Sequence, residues 1–315
     1  MHIYAATLKR KIMDYIVNHW GMLLGGAFLG FFVGMLTALF GAGGGFIVTP
    51  ALNIFLGLNM NLAVGTSAFQ VMGASSFSLY HRLDKRFMGI RVALFTGIGI
   101  PVGAYLGVFL VQMMKSQGQW QFGGKTIDPV NVILLSIFAV FLLLIGGWLL
   151  FDNFYLRRHH DGDDSDHVGM LKRFAIAPLL KFRTIPAGDF SVPVLVGLGL
   201  FTGFLSGLLG IGGGVIMMPM LFYMVGQETK YATQTSTMLV LLSGAFSSIF
   251  HAIDHNINYT LAIVLIIGAF FGTKLGSIIH DKISAKSIRK YFAFVVLAAW
   301  LLVIFKLIKI VFVSP

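Results

Sequence analysis

Cysteine is absent from this chain, and charged side chains make up only 11% of its 315 residues. Without thiols there are no disulfides, no thiolate metal ligands and no covalent relay through a protein sulfur. The shortage of charge excludes more, because an ordinary soluble domain carries about 25% charged residues. No Asp, Glu, Lys or Arg occurs between Trp20 and Tyr80, a run of 61 residues. Further uncharged runs are Val92–Gln112, Asn131–Phe151, Ser191–Gln227, Tyr231–Phe250, Tyr259–Thr273 and Tyr291–Phe305. Crossing the hydrocarbon takes roughly 20 apolar residues as helix, and lipid admits only helices or closed barrels. These runs are too long and too continuous for barrel strands. Together with 57% apolar residues and a mean hydropathy of +0.86, they predict an all-α, polytopic transmembrane protein of the cell membrane (the inner membrane in a Gram-negative cell).

The net charge of +11 does not point to nucleic acid. The basic residues cluster in short loops beside the apolar runs, where they act as topology signals, and no basic patch lies outside those loops. The expected partner is the lipid bilayer.

What the chain does have is glycine, 38 residues of it, arranged in a duplication. Gly30–Pro50 reads GFFVGMLTALFGAGGGFIVTP, and 169 residues later Gly199–Pro219 reads GLFTGFLSGLLGIGGGVIMMP, identical at 11 of 21 positions. The register persists through Gly57/Gly226, Ala63/Ala232, Thr66/Thr235, Ser67/Ser236, Gly103/Gly272 and Gly107/Gly276. A self-similarity of this length defines the architecture. The expected organisation is an interfacial N-terminal helix over 1–20, a first transmembrane repeat over 21–151, a polar and dispensable cytoplasmic linker over 152–190, and a second repeat over 191–315.

Charge placement bears on how the copies are related. Arg82, Lys85, Arg86 and Arg91 fill the loop 81–91, whereas its counterpart 252–258 has no Lys or Arg. Conversely, Lys282, Lys286, Arg289 and Lys290 stand where the first copy has only Lys115 and Lys125. The positive-inside rule then makes the copies inverted, the usual construction of secondary transporters. Lys9-Arg10-Lys11 dissents, since inversion leaves it outside. A single crossing by residues 46–80 would make the copies parallel instead.

Candidate chemistry centres on Gly43-Gly44-Gly45 and Gly212-Gly213-Gly214. Each glycine lowers helix propensity by about 1 kcal/mol, so a triplet between apolar stretches predicts an unwound turn and a new helix start. Helix starts expose unpaired N–H groups and partial positive charge, and glycine lets an anion approach them closely. The alternative is close helix packing, which is the expected role of the Gly30/Gly34, Gly103/Gly107, Gly199/Gly203 and Gly272/Gly276 pairs. Neither triplet is followed by the Gly-Lys-Ser/Thr of a phosphate-binding loop. Thr66, Ser67, Thr235 and Ser236 supply hydroxyls suited to oxyanion oxygens, with Gln70 one turn beyond the first pair and Gln234 where the first copy has Gly65. The competing role for such hydroxyls is bonding the carbonyl four residues back.

Other polar features read as structural. His81 and Asp84, like His251 and Asp254, fall at span ends and suit capping. Lys274 suits snorkelling to the interface. The run Arg157–His167 is rich in His and Asp, but a calcium loop starting at Asp161 would need Gly at its sixth position and Glu at its twelfth, and it has Asp166 and Lys172. No metal, nucleotide or redox cofactor is expected.

The doubled pattern G-x-x-G-G-G-x-x-x-x-P, then A-x-G/Q-T-S, then G-x-x-x-G resembles the sulfite exporter TauE/SafE family, over about residues 25–115 and 194–305. That resemblance implies a membrane transporter for small sulfur-containing oxyanions such as sulfite or organosulfonates. It marks both triplets, Thr66, Ser67, Thr235 and Ser236 as the functional elements. Gln234 and the long charged linker depart from the family pattern. The function expected is secondary transport of such an anion by alternating access, with a proton or sodium as candidate coupling ion. An anion channel or a permease for another small anion is the nearest rival. A membrane-embedded enzyme is disfavoured, because such enzymes need ionisable groups in their spans and Lys274 is nearly alone there.

Overall fold

A computed structural model describes residues 2–81, 89–116, 118, 120–122, 125–151, 169–173, 176–182, 184–185 and 189–310. The His/Asp-rich run and the basic loop 82–88 lie outside the described residues. The charge-free runs form helices. In the first copy these are α1 (His2–Phe40), α2 (Gly45–Phe55), α3 (Met60–His81), α4 (Ile90–Lys115) and α5 (Pro129–Phe151). In the second they are α6 (Val192–Leu209), α7 (Gly214–Pro219), α8 (Thr229–Ile253), α9 (Tyr259–Lys282) and α10 (Ala285–Ile308). Strands are confined to two short hairpins, β1 (Trp120–Phe122) with β2 (Lys125–Ile127) and β3 (Leu179–Lys181) with β4 (Asp189–Ser191). Among the described residues, seven helices are long and apolar enough to cross a membrane, and Gly45–Phe55 and Gly214–Val225 are shorter apolar helices. The protein is a multi-pass membrane protein. The N-terminal segment is not a separate helix as expected. It runs unbroken into the first span, because no Gly or Pro lies between His2 and Trp20 to interrupt it.

Both breaks are made by left-handed glycines. Gly41, Gly43 and Gly44 have φ of 66°, 70° and 70°, and Gly210, Gly212 and Gly213 have 67°, 65° and 68°. Side chains strain in that region, so the sequence confines these six positions to glycine. Pro219 then removes an amide donor near the end of α7, and the chain continues as a π turn over Met220–Val225.

Glycine also sets how the copies interlock. Along α1 and α9, Gly30 abuts the backbone of Leu265 and Gly34 that of Ala269, while Gly268, Gly272 and Gly276 abut Ala27, Phe31 and Met35. Both numbers rise together, so these helices run parallel. The pair α4 and α6 repeats the arrangement, with Gly99, Gly103 and Gly107 against Val196, Leu200 and Phe204, and Gly199, Gly203 and Gly207 against Thr96, Ile100 and Ala104. The small-x-x-x-small faces are therefore packing surfaces, each joining a helix of one copy to a helix of the other. Helices α3 and α8, which are 169-residue equivalents, cross with opposite sense. Gly65 meets His251 and Asn256, while Gly244 meets Ala68 and Met72. Large apolar side chains such as Phe28, Leu94, Ile98, Phe271 and Leu301 point out of the bundle, as lipid-facing residues should.

Gly103→Leu would drive a side chain into the backbone of Leu200 and Phe204. It should destabilise the protein by about 1–3 kcal/mol or more, read as a lowered melting temperature in detergent. Gly197→Ala, on α6 with nothing within 4 Å of its added carbon, should leave stability unchanged or raised.

Candidate substrate site at the helix breaks

A broken helix inside a bundle frees carbonyls on one side of the break and amides on the other. The carbonyl side is satisfied by side chains from elsewhere in the chain. Ser67 Oγ donates to Gly210 O at 3.0 Å, and its repeat equivalent Ser236 Oγ donates to Gly41 O at 2.8 Å. Thr49 Oγ1 donates to Leu209 O at 3.1 Å, Ser247 Oγ to Ser206 O at 3.1 Å, and Ser243 Oγ to Gly212 O. Two histidines join them. His251 Nε2 lies 2.9 Å from Gly207 O and His280 Nδ1 lies 2.7 Å from Leu39 O. A carbonyl only accepts, so those ring nitrogens carry the protons.

The amide side is different. The N–H groups of Gly43, Gly44, Gly45 and Phe46, and those of Gly212 and Gly213, have no hydrogen-bond partner among the described residues, although all six residues are buried. An unpaired buried polar group costs about 1–3 kcal/mol. Six such donors lie in two related turns.

The two turns touch. A carbon added at Gly45 would strike Gly210 and Ile211, and one added at Gly214 would strike Ala42. Val71 and Val240, again 169 apart, flank the contact, and a carbon added at either Gly43 or Gly212 would run into them. In this conformation the glycines are close-packed between the copies, and their amides are buried.

The remaining expected site residues divide. Ser67 and Ser236 stand at the breaks, but their protons are committed to carbonyls. Thr66 and Thr235 each meet a helix start of the opposite copy. Asn258 N donates to Thr66 Oγ1 at 2.9 Å at the start of α9, while Thr235 Oγ1 sits against Gly89 at the start of α4 and has no partner. Gln234 is buried with Oε1 unpaired. Gln70 is the informative one. Its side chain is fully buried, and both Oε1 and Nε2 lack partners. It lies one turn from Ser67 and beside Val71, both of which touch the breaks. Ser75 and Ser78 continue the pattern along α3, also buried with unpaired hydroxyls. Lys274 is exposed on α9, on the outside of the bundle rather than at the breaks.

Sequence reasoning missed Ser243 and Ser247, and placed His251 only at a span end. Their signal was the spacing from Ser236, at 7, 11 and 15 residues, which places all four on one face of α8. Ser243→Ala would leave Gly212 O without its donor. The expected loss is about 1–2 kcal/mol of stability, measured by thermal unfolding.

A bundle of apolar helices, two of them interrupted at buried glycine turns, defines a membrane protein with a polar centre. The family profile described as sulfite exporter TauE/SafE matches residues 26–303, and the chain belongs to that family of membrane transporters. It is 30% identical over 275 residues to a probable membrane transporter protein of Methanocaldococcus jannaschii, covering 83% of this chain and 87% of the relative. To the probable membrane transporter protein YunE of Bacillus subtilis it is 25% identical, covering 82% and 89%. To the sulfite exporter TauE/SafE family protein 3 of Arabidopsis thaliana it is 23% identical, covering 76% and 68%. No solved structure matches.

Proposed function

We propose that this protein is a secondary transporter that carries a small sulfur-containing oxyanion, of the sulfite or organosulfonate type, by alternating access. The observation that carries the reading is the set of buried, unpaired amides at Gly43–Phe46 and at Gly212 and Gly213, with the orphan amide of Gln70 on the adjoining face of α3. The anion binds as the two turns separate, and its oxygens accept from the backbone N–H groups and from Gln70 Nε2. Backbone donors attract negative charge without a buried cation to release. The family description supplies the sulfur oxyanion class, and a proton or sodium ion is the proposed driver. Transport, and no catalytic step, is assigned to this site.

The copies act as inverted halves in this reading. Support comes from the opposed crossing of α3 and α8 and the parallel pairs α1/α9 and α4/α6. It puts the loops 81–91 and 280–290 on one side of the membrane. Since the chain lacks cysteine, single cysteines at Lys85 and Lys286 can be labelled with an impermeant maleimide, and both should react from the cytoplasmic side. Reaction from opposite sides would overturn the inversion.

The test of the site is Gln70→Leu. The second copy already has Leu239 at the equivalent position, fully buried, so the variant should fold and insert. Loss of a hydrogen bond to a charged ligand, about 1.5–3 kcal/mol, should weaken anion uptake in proteoliposomes by roughly 10- to 100-fold. Uptake equal to that of the unaltered protein would remove Gln70 from the site.

A further inference from the structure

The second half of the linker does not behave as the solvated tether that composition suggests. Gly169 is wedged under the π turn, where an added carbon would overlap the backbone of Met224 and Val225. Phe182, Ile185 and Phe190 are buried to within 4% exposure, and the Phe182 ring stands edge-on to Phe95 of α4 at 6.0 Å. The β3–β4 hairpin is tied to the foot of α6 by Val192 N donating to Pro178 O at 3.1 Å and Ser191 Oγ donating to Ile176 O at 2.7 Å.

One contact reaches inward. Gln227 Nε2 donates to Thr184 Oγ1 at 2.8 Å. Gln227 is fully buried with Oε1 unpaired among the described residues, and the unpaired Thr235 Oγ1 lies beside it at Gly89. Thr184, Gln227 and Thr235 converge on Gly89, the residue that caps α4. The next residue after Thr235, Ser236, is bonded to the first break through Gly41 O. Thus a line of polar groups runs from the linker segment to the glycine turn, and its outer end is covered.

The opposite mouth is built otherwise. There Thr66 is satisfied by the backbone of Asn258, and Leu58 occupies the position of Gln227. Asn256 at that mouth is held instead by Lys115 Nζ at 2.6 Å and Asn61 Nδ2 at 3.2 Å, so the two mouths are closed by different contacts.

We propose that the docked residues Phe182, Thr184, Ile185 and Phe190 form a gate over the mouth at the start of α4, latched by Thr184 on Gln227, and that transport requires these residues to lift. The gate rests on the proposed transport of an anion. When it lifts, Gln227 and Thr235 face water and their unpaired groups gain partners. When it closes, the path to the first break is sealed on that side.

The test places cysteines at Thr184 and Gln227 in the otherwise cysteine-free full-length chain, reconstituted in proteoliposomes. A short bis-methanethiosulfonate reagent should link them, as judged by mass spectrometry, and uptake of radiolabelled sulfite should fall at least tenfold. Reductant should restore it, and neither single variant should respond to the reagent. Failure of the pair to link would overturn the docking, and a linked protein that transports at the unlinked rate would overturn the gate. Absence of sulfite, sulfonate or other anion uptake by the unaltered protein would count against anion transport itself instead.

Discussion

A helix broken inside a membrane protein leaves backbone amides and carbonyls with no water to take them up, and this constraint organises the molecule. Each unsatisfied group in hydrocarbon costs several kcal/mol, so a sequence that breaks two helices must supply partners for them. The carbonyl half of the problem is solved by reciprocal donors, Ser67 to Gly210 and Ser236 to Gly41, with Ser243, Ser247 and His251 completing the second break. Those bonds require α3 and α8 to pass close to the turns. That approach in turn depends on the glycine faces that let α1 lie on α9 and α4 on α6. The amide half is left open, and in the proposed mechanism the substrate closes it.

The two copies share a scaffold and have diverged in their polar inventory. On α8 the hydroxyls of Ser236, Ser243 and Ser247 are all spent on backbone carbonyls. On α3 the equivalent face carries Gln70, Ser75 and Ser78, none of which has a partner. Leu239 replaces Gln70, and Leu58 replaces Gln227, so each copy holds a polar group where the other is apolar. Such exchanges keep packing volume nearly constant. In the proposed mechanism the first copy supplies ligand contact through Gln70, and the second supplies the α8 donors to the carbonyls and the gating Gln227. A duplicated frame needs this division if one face is to bind and the other to hold.

Much of the fold was legible because lipid simplifies the sequence. Charge-free runs marked the helices, and the 169-residue register marked the breaks and the packing glycines. The site was legible only in part. Serine in a membrane helix can donate to a ligand or to a carbonyl, and spacing within one helix does not distinguish the two. The partners of Ser67 and Ser236 lie 143 and 195 residues away, so their roles emerged only from the fold. The partners of Thr66 and Thr235 were hidden in the sequence for a related reason. One position along a helix turns a side chain by about 100°, enough to aim threonine at a helix start of the other copy while serine meets the break. The docking of Phe182, Ile185 and Phe190 was missed because these apolar residues are too sparse to form a periodic pattern.

In the proposed mechanism, unpaired backbone amides at the glycine turns recognise negative charge on a small oxyanion. Thermal unfolding of the purified protein in detergent, with sulfite and methanesulfonate compared against the uncharged dimethyl sulfone, tests that recognition most directly. The expected result is a concentration-dependent rise in melting temperature with the anions and none with the neutral sulfone. Equal stabilisation by the neutral compound, or none by any small oxyanion, would contradict it.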